Sequence, residues 1–467
     1  MDTLSQAAQA EVSRPAQPSI RRAAPLRLAL PLFFVALPVI LFYAILIRDL
    51  VNIPFYDEYG ASLDFLNHLA PINGFFARAA YFQAAQTNEY KLFLYHAFIW
   101  LQFSLTGHID FAVLSVVGNA FVLFLGIVLW LMFLPSHKDL ATRITFFIPV
   151  SWLLFQLQYW ENLDWATAVN QHIAVLPFVF GAIYLLLRGS RRAFSFALLF
   201  LVLAVAADAN GVLLLPIGAA ILILGRQYKR LAAWLLTSSA CVAAYFYRYT
   251  PRHAPPLVNQ PAVSNSHHFN PAYVLAFIGS GASFPFFAGS LVLGTLLCLF
   301  FTWLIYRGYV RRNPLVAWCV LFLLITAIGV AVLRSSFGIA QAAASRYTIY
   351  SALFLIFAWF AIAEEFLQNK PPSLFKNDIL MCAVLLTIPW SLSMDFLGAL
   401  QLGRRTHALV IAMRDYEHPP SPGSQTGPSP PLLDLKVPSD PVTDAFNRRV
   451  RPILDDSIRQ GLYRPPL

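Results

Sequence analysis

Two uninterrupted apolar runs, 28–47 and 111–134, constrain this chain more than any other feature. Each is long enough for a helix to cross the roughly 30 Å hydrocarbon core of a bilayer, since a helix rises about 1.5 Å per residue. The 467 residues are 58% hydrophobic and only 12% charged, whereas soluble domains average about 25% charged. These values exclude a soluble enzyme, a disordered chain and a fibrous protein. Continuous apolar runs also exclude an outer-membrane barrel, whose strands alternate apolar and polar residues. We predict an all-α, polytopic membrane protein.

About eleven segments have the length and composition of membrane-crossing helices. They are 26–47, 109–134, 144–160, 171–187, 193–207, 211–225, 231–247, 287–306, 314–333, 347–363 and 378–396. Two more apolar segments, 92–105 and 272–284, reach only about 21 Å as helices. If both lie outside the membrane, most basic loops fall on one side, which the positive-inside rule assigns to the cytoplasm.

This topology predicts three regions and an orientation in a bacterial inner membrane. The regions are a cytoplasmic tail at 1–25, a transmembrane domain at 26–396, and a periplasmic tail at 397–467 with a Pro-rich linker and an amphipathic helix. The first periplasmic loop, 48–108, is expected to hold interfacial helices. The net charge of +10 sets orientation in such a protein, and no nucleic-acid partner is predicted.

The first loop opens with the acidic pair Asp57 and Glu58, directly after the aromatic Tyr56. A carboxylate at this position can act as a general base or hold a divalent cation such as Mg²⁺ or Mn²⁺. The aromatic ring suits the face of a sugar. No cofactor is required by the pattern, and a metal at Asp57 and Glu58 is left open.

A second polar group precedes the short apolar segment 92–105 and consists of Asn88, Glu89 and Lys91. Glu89 and Lys91 can face the acidic pair from the start of an interfacial helix. Glu89 is a candidate for orienting the base or binding a metal, Asn88 for contacting sugar, and Lys91 for contacting phosphate. The alternative for Lys91 is an anchor at the membrane surface.

Further polar residues fall at the outer ends of later predicted spans. Candidate contacts to sugar or acceptor are Glu161, Asn162, Asp164, Asp208 and Asn210. Arg334 and Arg346 flank a loop of small residues, where both can reach one phosphate, and guanidinium geometry suits phosphate oxygens. Charged residues at membrane depth are costly and usually functional, so their collection at one face predicts a single outward-facing site.

The order of one span, an outer acidic pair, interfacial helices and a long second span resembles the GT-C class of membrane glycosyltransferases. Lipid A aminoarabinose transferases and protein O-mannosyltransferases of that class have such a first loop, and Asp57 and Glu58 match its acidic pair. The stretches 158–165, 207–211, 334–338 and 345–347 are similar to a group of uncharacterised bacterial GT-C-like proteins. Those proteins often read Asp-Glu-Trp and Asn-Glu-His-Arg, whereas this chain has Tyr59 and Tyr90-Lys91, and an ammonium binds phosphate as a point charge only.

The resemblance implies a glycosyltransferase that takes a sugar from a polyprenyl-phosphate-linked donor in the membrane. The acceptor would be a periplasmic glycan, lipid or protein. We expect Asp57 to be the base, since it is the leading acid of the pair and neighbours on a helix diverge by about 100°. Two alternatives remain from the residues alone: a flippase or exporter of lipid-linked saccharides, and a non-catalytic protein of envelope assembly.

Overall fold

The computed structural model describes residues 24–87, 90–134, 139–250, 269–284, 286–368, 373–417 and 441–466. Throughout these ranges the regular structure is helical, with two isolated β-bridges and no strand. The α-helices in chain order are α1 (Ala24–Asp49), α2 (Phe65–Leu69), α3 (Phe75–Ala84), α4 (Phe93–Thr106), α5 (Phe111–Met132), α6 (Leu140–Leu154), α7 (Trp160–Leu163), α8 (Ala166–Ala168), α9 (Val175–Arg188), α10 (Arg191–Ala207), α11 (Leu214–Leu224), α12 (Tyr228–Phe246), α13 (Pro271–Ile278), α14 (Ala288–Tyr306), α15 (Tyr309–Arg312), α16 (Pro314–Arg334), α17 (Thr348–Gln368), α18 (Ser373–Glu417) and α19 (Pro441–Arg459).

Within the described ranges, eight helical stretches are long and apolar enough to cross a membrane. They are Leu28–Asp49, Phe111–Met132, Leu140–Leu163, Ala166–Arg188, Ala288–Tyr306, Pro314–Phe337, Ser345–Glu365 and Asp378–Glu417. The predicted all-α, multi-pass architecture is therefore confirmed at this level. The other three predicted spans are also helices, α10, α11 and α12, but they are shorter or less apolar.

The ends of the helices follow local sequence signals. Asp110 caps α5, where its carboxylate accepts a hydrogen bond from the Val113 amide at 3.1 Å, and Ser190 caps α10 in the same way. Asn313 caps α16 with Pro314 in its first turn, where a proline fits because its missing N–H would have no helical partner. Gly107 ends α4 with φ +76°, a conformation that glycine adopts without a steric penalty.

The two ambiguous apolar segments form short helices at the ends of the bundle. α4 has 14 residues and α13 has eight, so neither reaches across a bilayer alone. Tyr95 and Ile99 of α4 are buried in a hydrophobic core that the first loop shares with the C-terminal part of the chain.

That second core lies beside the main core of the helix bundle and explains the path of the tail. α18 has 45 residues, or about 68 Å, and runs without a break through the predicted boundary at 397. Its last turns bring Leu409 and Met413 against the first loop, and Val450 and Leu454 of α19 are buried in the same cluster. The C-terminal helix therefore forms part of the wall around the first loop.

Candidate functional site

A cavity of about 320 Å³ opens at the end of the bundle that carries the first loop. Its wall is built mainly from connections between helices, and it includes Asp57, Asp208, Asn210, Arg334 and Arg346. Five of the residues that the sequence nominates thus lie around one space, although they are up to 289 positions apart in the numbering. The remaining wall includes aromatic rings and polar groups, namely Tyr90, Trp165, Thr167, Gln171, His172, Tyr347 and Tyr350.

Asp57 reaches this cavity because of a tight turn after Pro54. Tyr56 adopts φ +46°, which is uncommon for a residue with a side chain and is found at turns and functional sites. The Tyr56 ring lies 4.4 Å from the Phe55 ring and 5.7 Å from the Trp165 ring. The next residue, Asp57, is exposed.

Glu58 points the opposite way, into the protein. Its carboxyl oxygens accept hydrogen bonds from the backbone amides of Phe55 at 2.6 Å and of Thr167 at 3.3 Å. Burial raises the pKa of Glu58 from 4.5 to about 8, although these hydrogen bonds oppose the shift. Glu58 lines no part of the cavity and instead connects the first loop to the residues before α9.

Lys91 is also buried and lies outside the cavity wall. Its ammonium group donates to the carbonyl oxygen of Gln83 at 2.8 Å and to that of Tyr247. Desolvation lowers the pKa of Lys91. In this arrangement the lysine ties the end of α12 to the first loop. Asn88 and Glu89 lie outside the described residues.

Glu161 and Asn162 hold the backbone of Arg346. A carboxylate oxygen of Glu161 accepts the Arg346 amide at 3.1 Å, and the Asn162 side-chain amide donates to the Arg346 carbonyl at 2.9 Å. Neither side chain lines the cavity. Two residues nominated as sugar contacts therefore position one of the two cavity arginines.

Asp164 forms a buried ion pair behind the same wall. Its carboxylate lies 2.7 Å from Nη1 of Arg405, and both side chains are 7% exposed. The Arg405 guanidinium also stacks on the rings of Phe55 and Trp160, at 4.5 and 4.4 Å. Burial raises the pKa of Asp164 to about 6, against the lowering effect of Arg405. Asp164 is thus committed to Arg405 and does not line the cavity.

Arg334 and Arg346 give the cavity its positive charge. Arg334 ends α16 and donates to the Tyr90 hydroxyl at 3.4 Å, while Arg346 lies over the Tyr347 ring at 5.4 Å. Among the described residues the Arg346 guanidinium forms no ion pair. Since arginine keeps its charge at any physiological pH, the cavity is suited to an anionic group such as a phosphate.

His172 is a cavity residue that the sequence reasoning missed. Its Nδ1 lies 3.0 Å from Oδ2 of Asp208, and the other oxygen of Asp208 accepts the Asn210 amide at 3.2 Å. His172 sits at the start of an apolar span, where a single histidine carries no distinctive spacing. In the sequence, the polar run 170–172 is the one feature that indicates a polar environment at the start of this span.

A second cavity, of about 270 Å³, lies on the other side of Asp57. It shares Asp57 and Thr87 with the first cavity, and its wall also includes Tyr56, Asp64 and Arg449. Arg449 belongs to α19, so the C-terminal helix closes this space against the first loop. Asp57 therefore stands at the boundary between an arginine-containing cavity and a polar cavity with a mixture of charges.

A metal centre is not evident in the part of the chain that the structure describes, since no group of three or more His, Cys, Asp or Glu side chains is arranged to bind one ion. Comparisons with protein-family models, with curated proteins and with solved structures give no match. The functional argument therefore depends on the fold and on the geometry of the two cavities.

Proposed function

We propose that the protein is a glycosyltransferase of GT-C type that uses a polyprenyl-phosphate-linked sugar. The observation that carries the proposal is the position of Asp57 between two cavities, one of which contains Arg334 and Arg346. The donor phosphate would occupy the cavity with the arginines. The acceptor hydroxyl would enter from the cavity beside α19, and the two substrates would meet at Asp57.

In this mechanism Asp57 is the general base. Its carboxylate takes the proton of the acceptor hydroxyl while the acceptor oxygen attacks the anomeric carbon of the sugar. The bond from that carbon to the phosphate oxygen breaks, and the electron pair stays on the phosphate. Arg334 and Arg346 stabilise the additional negative charge, which is an electrostatic effect that increases from the ground state to the transition state.

Glu58, Glu161, Asn162 and Asp164 support the site in this proposal, and they do so without contacting substrate. Glu58 fixes the turn that presents Asp57, and Glu161 and Asn162 fix the backbone of Arg346. Asp208 and Asn210 remain at the cavity wall, where they can contact the sugar. Asn88 and Glu89 stay candidates on sequence grounds.

The eleven-span topology is part of the same proposal. α9 begins and α10 ends beside the cavity, with His172 and Asp208 in contact, so this pair of helices runs away from the cavity end and returns to it. α12 then ends next to Lys91 of the first loop. This alternation supports the count of spans, and the positive-inside rule then favours an N-terminus in the cytoplasm and a site in the periplasm of a bacterial inner membrane. In a variant that lacks the four native cysteines, a cysteine at 139 should resist an impermeant thiol reagent, and labelling from outside the cell would contradict the orientation.

The experiment is sugar transfer by the purified protein in vesicles, with a panel of polyprenyl-phosphate sugars and periplasmic extracts as acceptors. Asp57→Asn preserves size but cannot take a proton, so transfer should fall by about 100-fold or more. Asp378→Asn removes an exposed carboxylate at the start of the last membrane stretch and should leave transfer unchanged.

Full transfer by Asp57→Asn would refute the mechanism. If the wild-type protein consumes no donor at all, the enzyme proposal fails. Movement of a lipid-linked saccharide across the same vesicle membrane would then favour an exporter.

A further inference from the structure

His172 has no role in the mechanism above, and neither does its contact with Asp208. Both residues line the arginine-containing cavity, and Asp208 is 3% exposed whereas the His172 side chain is 31% exposed. They come from different elements, since His172 lies in the π-helical turn Val169–Ile173 and Asp208 follows α10. The contact therefore presents one imidazole edge to a buried carboxylate and leaves the other edge for the cavity.

The carboxylate determines which ring nitrogen can meet a ligand. Asp208 accepts from Nδ1, which is 3.0 Å from its Oδ2, so Nδ1 carries a proton and Nε2 is the remaining nitrogen. Within the described residues, no protein group hydrogen-bonds to Nε2. A carboxylate behind an imidazole both orients the ring and stabilises its protonated form, as in hydrolase triads.

Within the described part of the wall, His172 is the one histidine that lines this cavity. Around it stand Asp57, Asp208, Arg334 and Arg346, and the phenols Tyr90, Tyr347 and Tyr350. The elements packed on the turn Val169–Ile173 add Glu161 on α7 and Tyr95 and His96 on α4. The titratable groups of α9 and α10 lie toward the opposite ends of those helices, at Tyr184, Arg188, Arg191 and Arg192. Glu161 accepts from the Arg346 amide, and His96 stacks on Phe65 with ring centroids 4.0 Å apart. Burial lowers the pKa of His96 to about 3, so it contributes no positive charge.

We propose that His172 is a catalytic residue that binds the donor phosphate through Nε2–H and protonates it as it leaves, with Asp208 as its positioning residue. This inference depends on the proposed glycosyl transfer. The acceptor proton goes to Asp57, the new bond forms between the acceptor oxygen and the anomeric carbon, and the bond from that carbon to the phosphate oxygen breaks. The phosphate oxygen keeps the electron pair and takes the Nε2 proton. Asp57 then returns its proton through water, and His172 is protonated again.

The test measures binding of a short-chain polyprenyl methyl phosphodiester, which carries a single charge. His172→Gln should bind this probe about tenfold more weakly than the wild type, because a charge-assisted hydrogen bond to the phosphate is lost. His172→Lys restores a cationic donor and should recover part of the affinity. Asp208→Asn keeps the imidazole but removes the carboxylate that orients it, so it should bind several-fold more weakly than the wild type.

The outcomes separate this inference from the proposed function. If Arg346→Ala binds the probe as tightly as the wild type, the donor site itself is misassigned. If Arg346→Ala weakens binding but His172→Gln keeps the wild-type affinity, only the role of His172 is wrong, and the pair with Asp208 is a structural contact. Circular dichroism and monodispersity of each variant establish that it is folded. If His172→Gln does not fold, wild-type affinity in Asp208→Asn would by itself overturn the inference.

Discussion

Glu58→Gln should remove a pH-dependent loss of stability while preserving sugar transfer. The Glu58 carboxyl is buried, and its pKa is raised from 4.5 to about 8. Between these two pH values the unfolded chain is ionised while the folded protein retains the proton. The folded state therefore binds more protons than the unfolded state, and the free energy of unfolding falls as the pH rises through this window. Below the lower value both states are protonated and the contribution is fully present.

The size of the effect follows from the pKa displacement and from the hydrogen bonds of Glu58. At 1.36 kcal/mol for each pKa unit, the displacement corresponds to at most about 5 kcal/mol. Glutamine cannot ionise, so it removes this dependence. It offers a single oxygen to the amides of Phe55 and Thr167, which costs about 1–3 kcal/mol at every pH. Glu58→Gln should thus be less stable than the wild type at low pH, with the difference shrinking or reversing at high pH.

The assay is the apparent midpoint of thermal unfolding in detergent, followed by tryptophan fluorescence between about pH 5 and about pH 8. Asp57→Asn is the matched control, because it changes the neighbouring carboxylate, which is exposed, and should follow the wild-type curve. Parallel curves for the wild type and Glu58→Gln would refute the reasoning about burial. Loss of transfer in Glu58→Gln together with its retention in Asp57→Asn would reverse the assignment of the base.

Two further predictions concern the walls of the site. Arg405→Met leaves the buried Asp164 carboxylate without its cation, so it should destabilise the protein by about 3–5 kcal/mol. The thermal midpoint should recover in part when Asp164→Asn is added. No recovery would mean that stacking of Arg405 on the aromatic rings dominates. Arg449→Glu should raise the acceptor KM severalfold without changing the donor KM, because Arg449 lines the second cavity. Arg448→Glu, which changes the neighbouring exposed residue of the same helix, should change neither KM. Equal effects of the two variants would show that α19 is not part of the acceptor path.

The fold class could be predicted from the sequence because apolar run length is a local property. A helix of a given composition either can or cannot cross a bilayer, whatever it packs against. The path of α18 was less predictable. Its apolar part resembles an ordinary span, but the helix continues to Glu417 because Leu409 and Met413 find a core in the first loop, and nothing local to 397–417 indicates that partner.

The sequence predicts which helix ends contribute to the candidate site, but it does not predict what each residue contacts there. The structure has Asp57, Arg334 and Arg346 around one cavity, and the expectation that they lie near one another came from the rule that connections on one side of a membrane meet at one face. Lys91 and Asp164 are also charged residues beside apolar segments, so the sequence does not distinguish them from the cavity residues. In the structure Lys91 donates to two carbonyl oxygens, and Asp164 forms an ion pair with Arg405. Sequence gives the position of a charge along the chain, whereas its partner is decided by tertiary packing.

The division between cavity groups and supporting groups has a physical basis that extends beyond single residues. A cavity that binds phosphate needs cations that keep their charge available, but a bare guanidinium on a mobile side chain would lose affinity to conformational entropy. Here the backbone of Arg346 is held on both sides by Glu161 and Asn162, while its guanidinium has no carboxylate partner among the described residues. Glu161 and Asn162 thus restrain the backbone of Arg346 without neutralising its guanidinium. Glu161→Gln retains an oxygen that can accept from the Arg346 amide, and it should therefore disturb donor binding less than Glu161→Ala, which loses that acceptor altogether.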